Sequence, residues 1–317
     1  MDRREFVAAA VALPFALRAE TARAGGTPLA LVTADAEAAL VAYGLSERRV
    51  FRRVPVLPGP RSIESVGDAA VVAHTAVGAV TILDAPTLGV QHVLRSFDEP
   101  RYTAAAPGGR HAFVTDSGRA AVAAVDVVRG RVVARVRLRG WPRHLALDPS
   151  GRFLWVALGT ESPELAVVDV ARDGDPRIVG RVRPPFLAHD VGFAPDGRHA
   201  WVTSGDRGTV GIFDLRGRLR RLLRADAPPQ HVTFLGGAAF VTSGDDGTLR
   251  MHSLRGGRVL RTARIPTGSY NVQQGWGVVL TPSLARGTLA VANARGRVIT
   301  ERTLARSSHD ACFVMAA

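Results

Sequence analysis

A unit of roughly 40–46 residues recurs along the chain, and this repeat restricts the possible folds more than any other feature. Each copy has a strand-like run, a turn, a second run, a loop, a third run that ends near Asp and a fourth run rich in Arg. The second and third runs align in seven copies, at residues 31–43, 71–84, 112–126, 154–169, 200–214, 239–253 and 279–293. Four short strands per unit at this period predict the blades of a β-propeller.

The turns between the first and second runs indicate antiparallel hairpins. Residues 148–151 (Asp-Pro-Ser-Gly) and 194–197 (Ala-Pro-Asp-Gly) each place a Pro before a Gly. The Pro presets φ for a turn, and the Gly accepts a positive φ. We therefore expect an all-β protein with four-stranded antiparallel blades, folded as one seven-bladed propeller domain over residues 25–317.

The two ends of the repeat predict how the ring closes. Residues 309–314 (His-Asp-Ala-Cys-Phe-Val) match residues 189–194 (His-Asp-Val-Gly-Phe-Ala), which begin an innermost strand. Residues 29–33 instead match a second strand. We expect the C-terminal segment to join the N-terminal blade as its inner strand, which removes exposed sheet edges.

The second runs share a short motif, seen as Ala-Trp-Val-Thr-Ser at 200–204 and Ala-Phe-Val-Thr-Ser at 239–243, with Ala-Pro-Asp-Gly-Arg at 194–198 before the first. These motifs resemble the YVTN repeat family of seven-bladed propellers, which is similar to the lactonase-like and quinoprotein-dehydrogenase-like propellers. The resemblance covers about residues 27–315. It implies the fold but leaves the function open, since this scaffold carries binding proteins, surface-layer proteins and enzymes.

The basic residues of the chain limit the catalytic mechanisms and the partners that it can have. All 41 basic residues are Arg and the formal net charge is +13, so mechanisms that need a Lys are excluded. Such a charge would suit an anionic partner, but no Arg run is interleaved with the aromatic residues that nucleic-acid platforms need. We expect no nucleic-acid partner. A genome that uses Arg in place of Lys would give the same charge with no partner at all.

The single cysteine, Cys312, excludes an intrachain disulfide, a Cys-based zinc site and a CxxCH haem attachment. We expect Cys312 to be a small buried apolar residue on an inner strand. Trp155 and Trp201 lie in second strands, where we expect them to pack between blades.

Residues 1–24 predict an export signal. Arg3 and Arg4 precede an apolar run over 6–17, too short to span a membrane, and 22–24 (Ala-Arg-Ala) offer small residues for cleavage. The Arg pair lies in an Arg-Arg-x-Phe sequence that resembles the twin-arginine motif, without its usual Ser/Thr and Lys. We expect export to the periplasm, cell wall or exterior by this route, or by an ordinary secretory signal, and no membrane anchor after signal removal.

The residues that begin the inner strands converge on the propeller axis and are the best candidates for a site. The aligned units give a first ring of Arg61, Arg101, Arg143, His189, Gln230, Tyr270 and His309. They give a second ring of Ser62, Tyr102, His144, Asp190, His231, Asn271 and Asp310. All of these are polar or phenolic, whereas the positions that follow are mostly apolar.

The rings allow three interpretations. The three Arg residues would bind a carboxylate or phosphate, the four His residues and two carboxylates would bind a metal, or the rings would only solvate a channel. We predict no cofactor and no metal, with an axial metal as a minor alternative. We predict a ligand site made of Arg61, Arg101, Tyr102, Arg143, His144, His189, Asp190, His231, Asn271, His309 and Asp310.

The favoured function is an exported, monomeric, non-enzymatic propeller. Its axial mouth and Arg-rich rim would bind a small anionic molecule, a cell-wall polymer or a partner protein. The alternative is a lactonase-type hydrolase, for which His231, Asp190 and His309 are the catalytic candidates. The cross-blade pair of His231 and Asp190 is the first place to look for it, because acid/base catalysis needs two such groups within reach of one substrate.

Overall fold

The computed structural model describes residues 26–159, 162–170, 176–225 and 228–317. The export signal predicted at 1–24 lies outside these residues. Within them, 28 strands form seven four-stranded antiparallel sheets arranged as blades of a propeller, which confirms the predicted fold. No helix in this part of the chain is long and apolar enough to cross a membrane.

The blades are numbered here along the chain. Blade 1 comprises β1 (Thr27–Ala34), β2 (Ala39–Gly44), β3 (Arg49–Pro55) and β28 (Ala311–Ala316). Blade 2 comprises β4 (Pro60–Val66), β5 (Ala69–His74), β6 (Ala79–Asp84) and β7 (Gly89–Leu94). Blade 3 comprises β8 (Pro100–Ala105), β9 (His111–Asp116), β10 (Ala121–Asp126) and β11 (Arg131–Arg137). Blade 4 comprises β12 (Leu145–Leu147), β13 (Phe153–Ala157), β14 (Leu165–Asp169) and β15 (Arg177–Val182).

The remaining blades have the same order of strands, from the axis outward. Blade 5 comprises β16 (Ala188–Phe193), β17 (His199–Ser204), β18 (Thr209–Asp214) and β19 (Leu219–Arg224). Blade 6 comprises β20 (Val232–Leu235), β21 (Ala238–Ser243), β22 (Thr248–Ser253) and β23 (Val259–Arg264). Blade 7 comprises β24 (Gln273–Gly275), β25 (Val278–Pro282), β26 (Thr288–Asn293) and β27 (Val298–Thr303). Short 3-10 helices follow β1 and β5, at Asp35–Glu37 and Thr75–Val77.

The ring closes as the sequence predicts. Strand β28 pairs antiparallel with β1, from Thr27 opposite Ala316 to Val32 opposite Ala311. The inner strand of blade 1 therefore comes from the C-terminal segment, and its other three strands come from the N-terminal part of the domain.

Apolar side chains between neighbouring blades form the core. The Trp155 ring in blade 4 packs edge-on against Phe193 in blade 5, with ring centroids 5.4 Å apart. Trp201 meets Phe234 of blade 6 in the same way at 6.0 Å. Both tryptophans are buried, as is Cys312. The predicted inter-blade role of the tryptophans is confirmed.

The outermost strands carry exposed Arg side chains, which together are called the arginine rim. Strands β3 and β19 expose nearly every residue, in agreement with the predicted outer position of the Arg-rich runs. Some of these side chains also tie blades together: Arg52 donates to the carbonyl of Thr87 in blade 2, and Arg221 donates to that of Gly256 in blade 6. The rim therefore contributes to the structure as well as to the surface charge.

Buried threonines of the repeated Val-Thr motif hold the starts of the inner strands in place. The Thr203 hydroxyl accepts the N–H of Asp190 at 3.1 Å and donates to the carbonyl of Gln230, in the next blade, at 2.6 Å. The Thr33 hydroxyl accepts the N–H groups of both His309 and Asp310 at 3.0 Å. One small side chain thus fixes the backbone from which an axial residue projects.

Replacing Thr203 by Val should destabilise the fold, whereas the same change at Thr281 should not. T203V leaves a buried N–H and a buried carbonyl without their partner, which costs roughly 1–3 kcal/mol. Thr281 occupies the equivalent position in blade 7, and its buried hydroxyl has no hydrogen-bond partner among the described residues. Urea unfolding of both variants measures the difference. Equal losses in the two would contradict this role for the Thr203 hydroxyl.

Candidate functional site

A cavity of about 500 Å³ lies where the inner strands of all seven blades meet. Its wall includes every residue of the second predicted ring: Ser62, Tyr102, His144, Asp190, His231, Asn271 and Asp310. These seven side chains are largely buried. The alignment of the repeats therefore identified a real ring of axial residues, each contributed by a different blade.

Irregular pairing at the starts of the inner strands directs the first-ring side chains. The register between β4 and β5 skips Arg61, and that between β16 and β17 skips His189. Between β8 and β9 it skips Arg101 and Tyr102. An extra residue in one strand bends the strand and redirects its side chain.

Three histidines from adjacent blades meet at the axis and are called the histidine cluster: His144, His189 and His231. The ring centroids of His144 and His231 are 4.0 Å apart, and His189 lies 4.9 Å from His144 and 5.5 Å from His231. Strict strand alternation would place His189 on the other side of its strand from the second ring. The bulge at His189 explains why it joins the second-ring histidines.

The aromatic ring of Tyr102 covers one side of this cluster. Its centroid is 3.5 Å from that of His144, 5.9 Å from His231 and 6.1 Å from His309. The Tyr102 ring therefore lies close to both the histidine cluster and His309, whose Nδ1 contacts the Arg61 carbonyl of blade 2.

Burial keeps the imidazoles of the cluster neutral at pH 7. Desolvation lowers the pKa of His144 and His231 well below the usual value, and the neighbouring histidines lower it further. Desolvation also lowers the pKa of His189 to about 3, with added repulsion from Arg143 and Arg61. A neutral imidazole has one ring nitrogen with a free lone pair, which can accept a hydrogen bond or bind a metal.

Asp190 lies between two members of the cluster and also has a structural task. Its carboxylate oxygens are 3.8 Å from Nδ1 of His144 and 3.5 Å from Nδ1 of His231. The sequence-predicted pair of His231 and Asp190 is thus brought together. The same carboxylate accepts the N–H of Val232 in blade 6 at 3.1 Å, and burial raises its pKa to about 7.

Asp310 repeats this arrangement between blades 1 and 2. It accepts the N–H of Ile63 at 3.0 Å, and burial raises its pKa to about 7. Beside it, Nδ1 of His309 lies 2.8 Å from the carbonyl of Arg61 and 3.2 Å from the side-chain nitrogen of Asn271. His309 and Asp310 therefore connect blade 1 to its neighbours and are not part of the histidine cluster.

Three arginines from blades 2, 3 and 4 form a group that is called the arginine mouth: Arg61, Arg101 and Arg143. The guanidinium of Arg101 stacks on the Trp141 ring at 4.0 Å, and that of Arg143 lies 5.4 Å from the same ring. Burial, together with the charges of the other two arginines, lowers the pKa of Arg101. The nearest carboxylate to Arg101 is that of Glu99, at 3.7 Å.

Gln230 and Tyr270, the two first-ring residues that are neither Arg nor His, lie near the carboxylate of Asp245. Tyr270 donates its hydroxyl to Asp245 at 2.9 Å. The Gln230 side chain accepts the N–H of Gly244 at 2.7 Å and lies 3.4 Å from Asp245. The structure therefore gives these two residues bonds within blades 6 and 7, apart from the arginine mouth.

Sequence reasoning missed two residues of the site. Glu64 lines the cavity two positions after Ser62, and burial together with the charge of Asp310 raises its pKa to about 8. Because alternate residues of a strand share one face, following the second ring by two positions would have found Glu64. Trp141 is the second residue that was missed, because it belongs to neither of the two aligned rings of residues. Only its place two residues before Arg143 could have suggested that it contacts the arginines.

Comparison with known proteins identifies the fold but no family. No protein-family model and no curated protein sequence matches this chain, so the YVTN family itself is not confirmed. A functionally unknown protein from Desulfotomaculum acetoxidans superposes with a TM-score of 0.78 and 10% identity, over 91% of this chain and 99% of that one.

Two further solved structures are similar. Kuenenia stuttgartiensis hydrazine synthase gives a TM-score of 0.67 at 16% identity, over 80% of this chain and 89% of that one. The dihydro-haem d1 dehydrogenase NirN, solved in complex with DHE, gives 0.64 at 14% identity, over 89% and 74%. At these identities the likeness shows a shared propeller fold.

Replacing Glu64 by Gln should remove part of the pH dependence of stability. The pKa of Glu64 is about 8 in the folded protein and 4.5 without burial, so the folded state binds more protons between these values. Stability therefore falls as pH rises from about 4.5 through about 8. One pKa unit corresponds to about 1.4 kcal/mol, so the difference between 4.5 and about 8 corresponds to as much as about 5 kcal/mol. E64Q should therefore stabilise the protein by several kcal/mol at pH 9 and little at pH 4.5.

Urea unfolding of E64Q and the native protein across this pH range tests the prediction. The variant E301Q removes an exposed carboxylate of β27 and serves as a control. An E64Q stability curve parallel to that of the native protein would show that the Glu64 carboxyl is not held protonated by the fold.

Proposed function

We propose that this chain is an exported β-propeller that binds a small anion of the carboxylate or phosphate class at the arginine mouth. The observation that carries the proposal is the gathering of Arg61, Arg101 and Arg143. Among the described residues, the carboxyl groups near them are Glu99, beside Arg101, and Asp35, on which the Arg61 charge acts. Within the described residues the Nε atoms of all three are buried and lack a hydrogen-bond partner. A planar guanidinium presents its donors in a fork that fits a carboxylate or phosphate.

Like charges held this close repel one another, so their convergence needs compensation. Glu99 is the carboxylate in contact with Arg101, and its side chain is 44% exposed, so solvent weakens the attraction. Trp141 holds the guanidinium groups of Arg101 and Arg143 in place before a ligand arrives. An anion that bound there would offset the repulsion and would meet donors already ordered, which lowers the entropic cost of binding.

The structural neighbours are compatible with a ligand-binding role but do not define it. NirN was solved in complex with DHE, so the propeller neighbours include a protein that holds a small molecule. The arginine rim offers a second anionic surface, to which a wall polymer or a partner protein would bind through exposed guanidinium groups. The mouth is favoured over the rim because its side chains are half-buried, and because Trp141 holds two of them in place.

A hydrolase of the lactonase type is the second candidate, and one contact favours it. The pair of His231 and Asp190, at 3.5 Å, lies on the wall of the axial cavity. A histidine that acts as a general base is often oriented by such a carboxylate. The bond from the Val232 N–H to Asp190 also explains the position of this carboxylate without catalysis, so we rank hydrolysis second. Hydrolysis of simple lactones, abolished by D190N, would reverse this order.

Loss of one arginine at the mouth should weaken anion binding strongly. Titration calorimetry with inorganic phosphate and with citrate at low salt should show a saturable site in the native protein. R101Q should reduce the affinity at least about tenfold, because a hydrogen bond to a charged group contributes roughly 1.5–3 kcal/mol. The affinity should also fall as salt is added.

The matched control is R137Q, which removes an equal charge from an exposed position of β11. It should leave the affinity nearly unchanged, since its charge is far from the axis and screened by solvent. Equal effects of R101Q and R137Q would point to general charge attraction and would refute a site at the mouth.

Export should depend on the arginine pair near the N-terminus. Replacing Arg3 and Arg4 by Lys should retain the protein in the cytoplasm if the twin-arginine route is used, because that route reads the Arg pair. Fractionation of a bacterial host that expresses each form measures the outcome. Unchanged export of the double variant would favour the ordinary secretory route.

A further inference from the structure

The histidine cluster contains ring nitrogens that the fold leaves unused. His144 and His231 are 3% and 7% exposed. Within the described residues the Nε2 atoms of both are buried and have no hydrogen-bond partner. A buried polar atom without a partner is costly. Nε2 of His252 also lacks a partner among the described residues, but those of His144 and His231 lie in one cluster, where a single ligand would satisfy both.

The three histidines offer a set of ligand atoms that lie together. One ring nitrogen from each of His144, His189 and His231 lies within 4.8 Å of the other two. Nitrogen ligands of a zinc ion, at about 2.0–2.1 Å from the metal, lie roughly 3.3 Å apart. Small rotations of the rings, on the order of an ångström at the nitrogen, would bring the three atoms onto one ion.

The other ring nitrogens face an outer carboxylate. The Nδ1 atoms of both His144 and His231 point to Asp190, at 3.8 and 3.5 Å. Metal-binding histidines commonly present their second nitrogen to such a carboxylate, which fixes the tautomer that leaves Nε2 free for the metal. The unused Nε2 atoms and the shared Asp190 are therefore two separate observations that indicate the same chemistry.

From this geometry we propose that His144, His189 and His231 bind one divalent transition metal ion, with Asp190 as their outer partner. Imidazole nitrogens suit Zn²⁺, Co²⁺, Ni²⁺ and Cu²⁺ better than they suit Mg²⁺ or Ca²⁺. Three protein ligands leave at least one coordination position open. This position would be available to water or to a small molecule in the axial cavity.

The charges of the arginine mouth act against a cation. Arg61 and Arg143 are close enough to lower the pKa of His189, so they also weaken binding of a metal ion. In its ionised form Asp190 would offset part of this repulsion. The proposed site does not depend on anion binding at the mouth, because none of its three ligands and outer carboxylate is an arginine of the mouth.

The test is titration of the purified full chain, stripped with a chelator, with Zn²⁺ and Co²⁺ in a buffer without phosphate or carboxylates. Calorimetry should show one equivalent of bound metal, and Co²⁺ should give the visible absorption of a nitrogen-ligated ion. H189A is the first variant, because His189 is the least buried of the three. H144A and H231A follow, with thermal unfolding as a check on folding.

Loss of the group that orients a metal-binding histidine typically costs about 10–100-fold in metal affinity. We expect D190N to weaken binding by that factor and each histidine variant to weaken it more. H252A is the matched control, since His252 is also a buried histidine in blade 6 but lies outside the cluster. It should bind metal as the native protein does.

Two results would overturn the proposal. One is the absence of saturable binding of either metal by the native protein. The other is unchanged affinity in a folded H189A variant, which would place any bound metal elsewhere. Neither result bears on the arginine mouth, where phosphate binding is measured without metal.

Discussion

Because β28 pairs with β1, residues that are almost the whole domain apart in sequence lie side by side on the axis. This backbone pairing keeps the inner strand of blade 1 in the ring. Without it, β1 would expose an unpaired edge, and the axis would lose His309 and Asp310. These two residues connect blade 1 to the backbone of blade 2 through Arg61 and Ile63. The axial cavity therefore exists only while the ring is closed.

Charge and burial compete at this axis. Seven inner strands bring their polar first residues together, and the fold satisfies many of them with backbone N–H groups, carbonyls and the buried threonines of the repeat. Where it does not, buried polar atoms remain without a hydrogen-bond partner among the described residues. They include Nε of the three arginines at the mouth and Nε2 of His144 and His231. These unsatisfied groups are the physical basis of both proposals, since most buried polar groups in folded proteins have a hydrogen-bond partner.

The fold could be predicted almost entirely from the sequence, because every blade repeats the same pattern of four short strands and turns. The period, the Pro/Gly turns and the displaced phase of residues 309–314 were enough to predict seven blades and the closure between β28 and β1. The second ring could also be predicted, since its residues hold equivalent positions in every repeat. Its function could not, because no family model matches the chain.

The clustering within the site could not be predicted, because it depends on departures from regular pairing. A bulge places His189 beside His144 and His231, and strand alternation alone gives the opposite result. Gln230 and Tyr270 share the first ring with the arginines, but Asp245 binds both of them. Asp245 lies in a loop outside the aligned positions, so alignment gave no sign of it.

The closure of the ring also determines the order in which the blades can complete their strand pairing during synthesis. During synthesis, blades 2 to 7 leave the ribosome with all of their own strands, and each can pair its four strands as soon as they emerge. Blade 1 cannot, because its inner strand is made after every other strand of the domain. The nascent chain must therefore keep β1 unpaired at its inner edge until residues 311–316 appear, and a chaperone that binds exposed strand edges would find its target there.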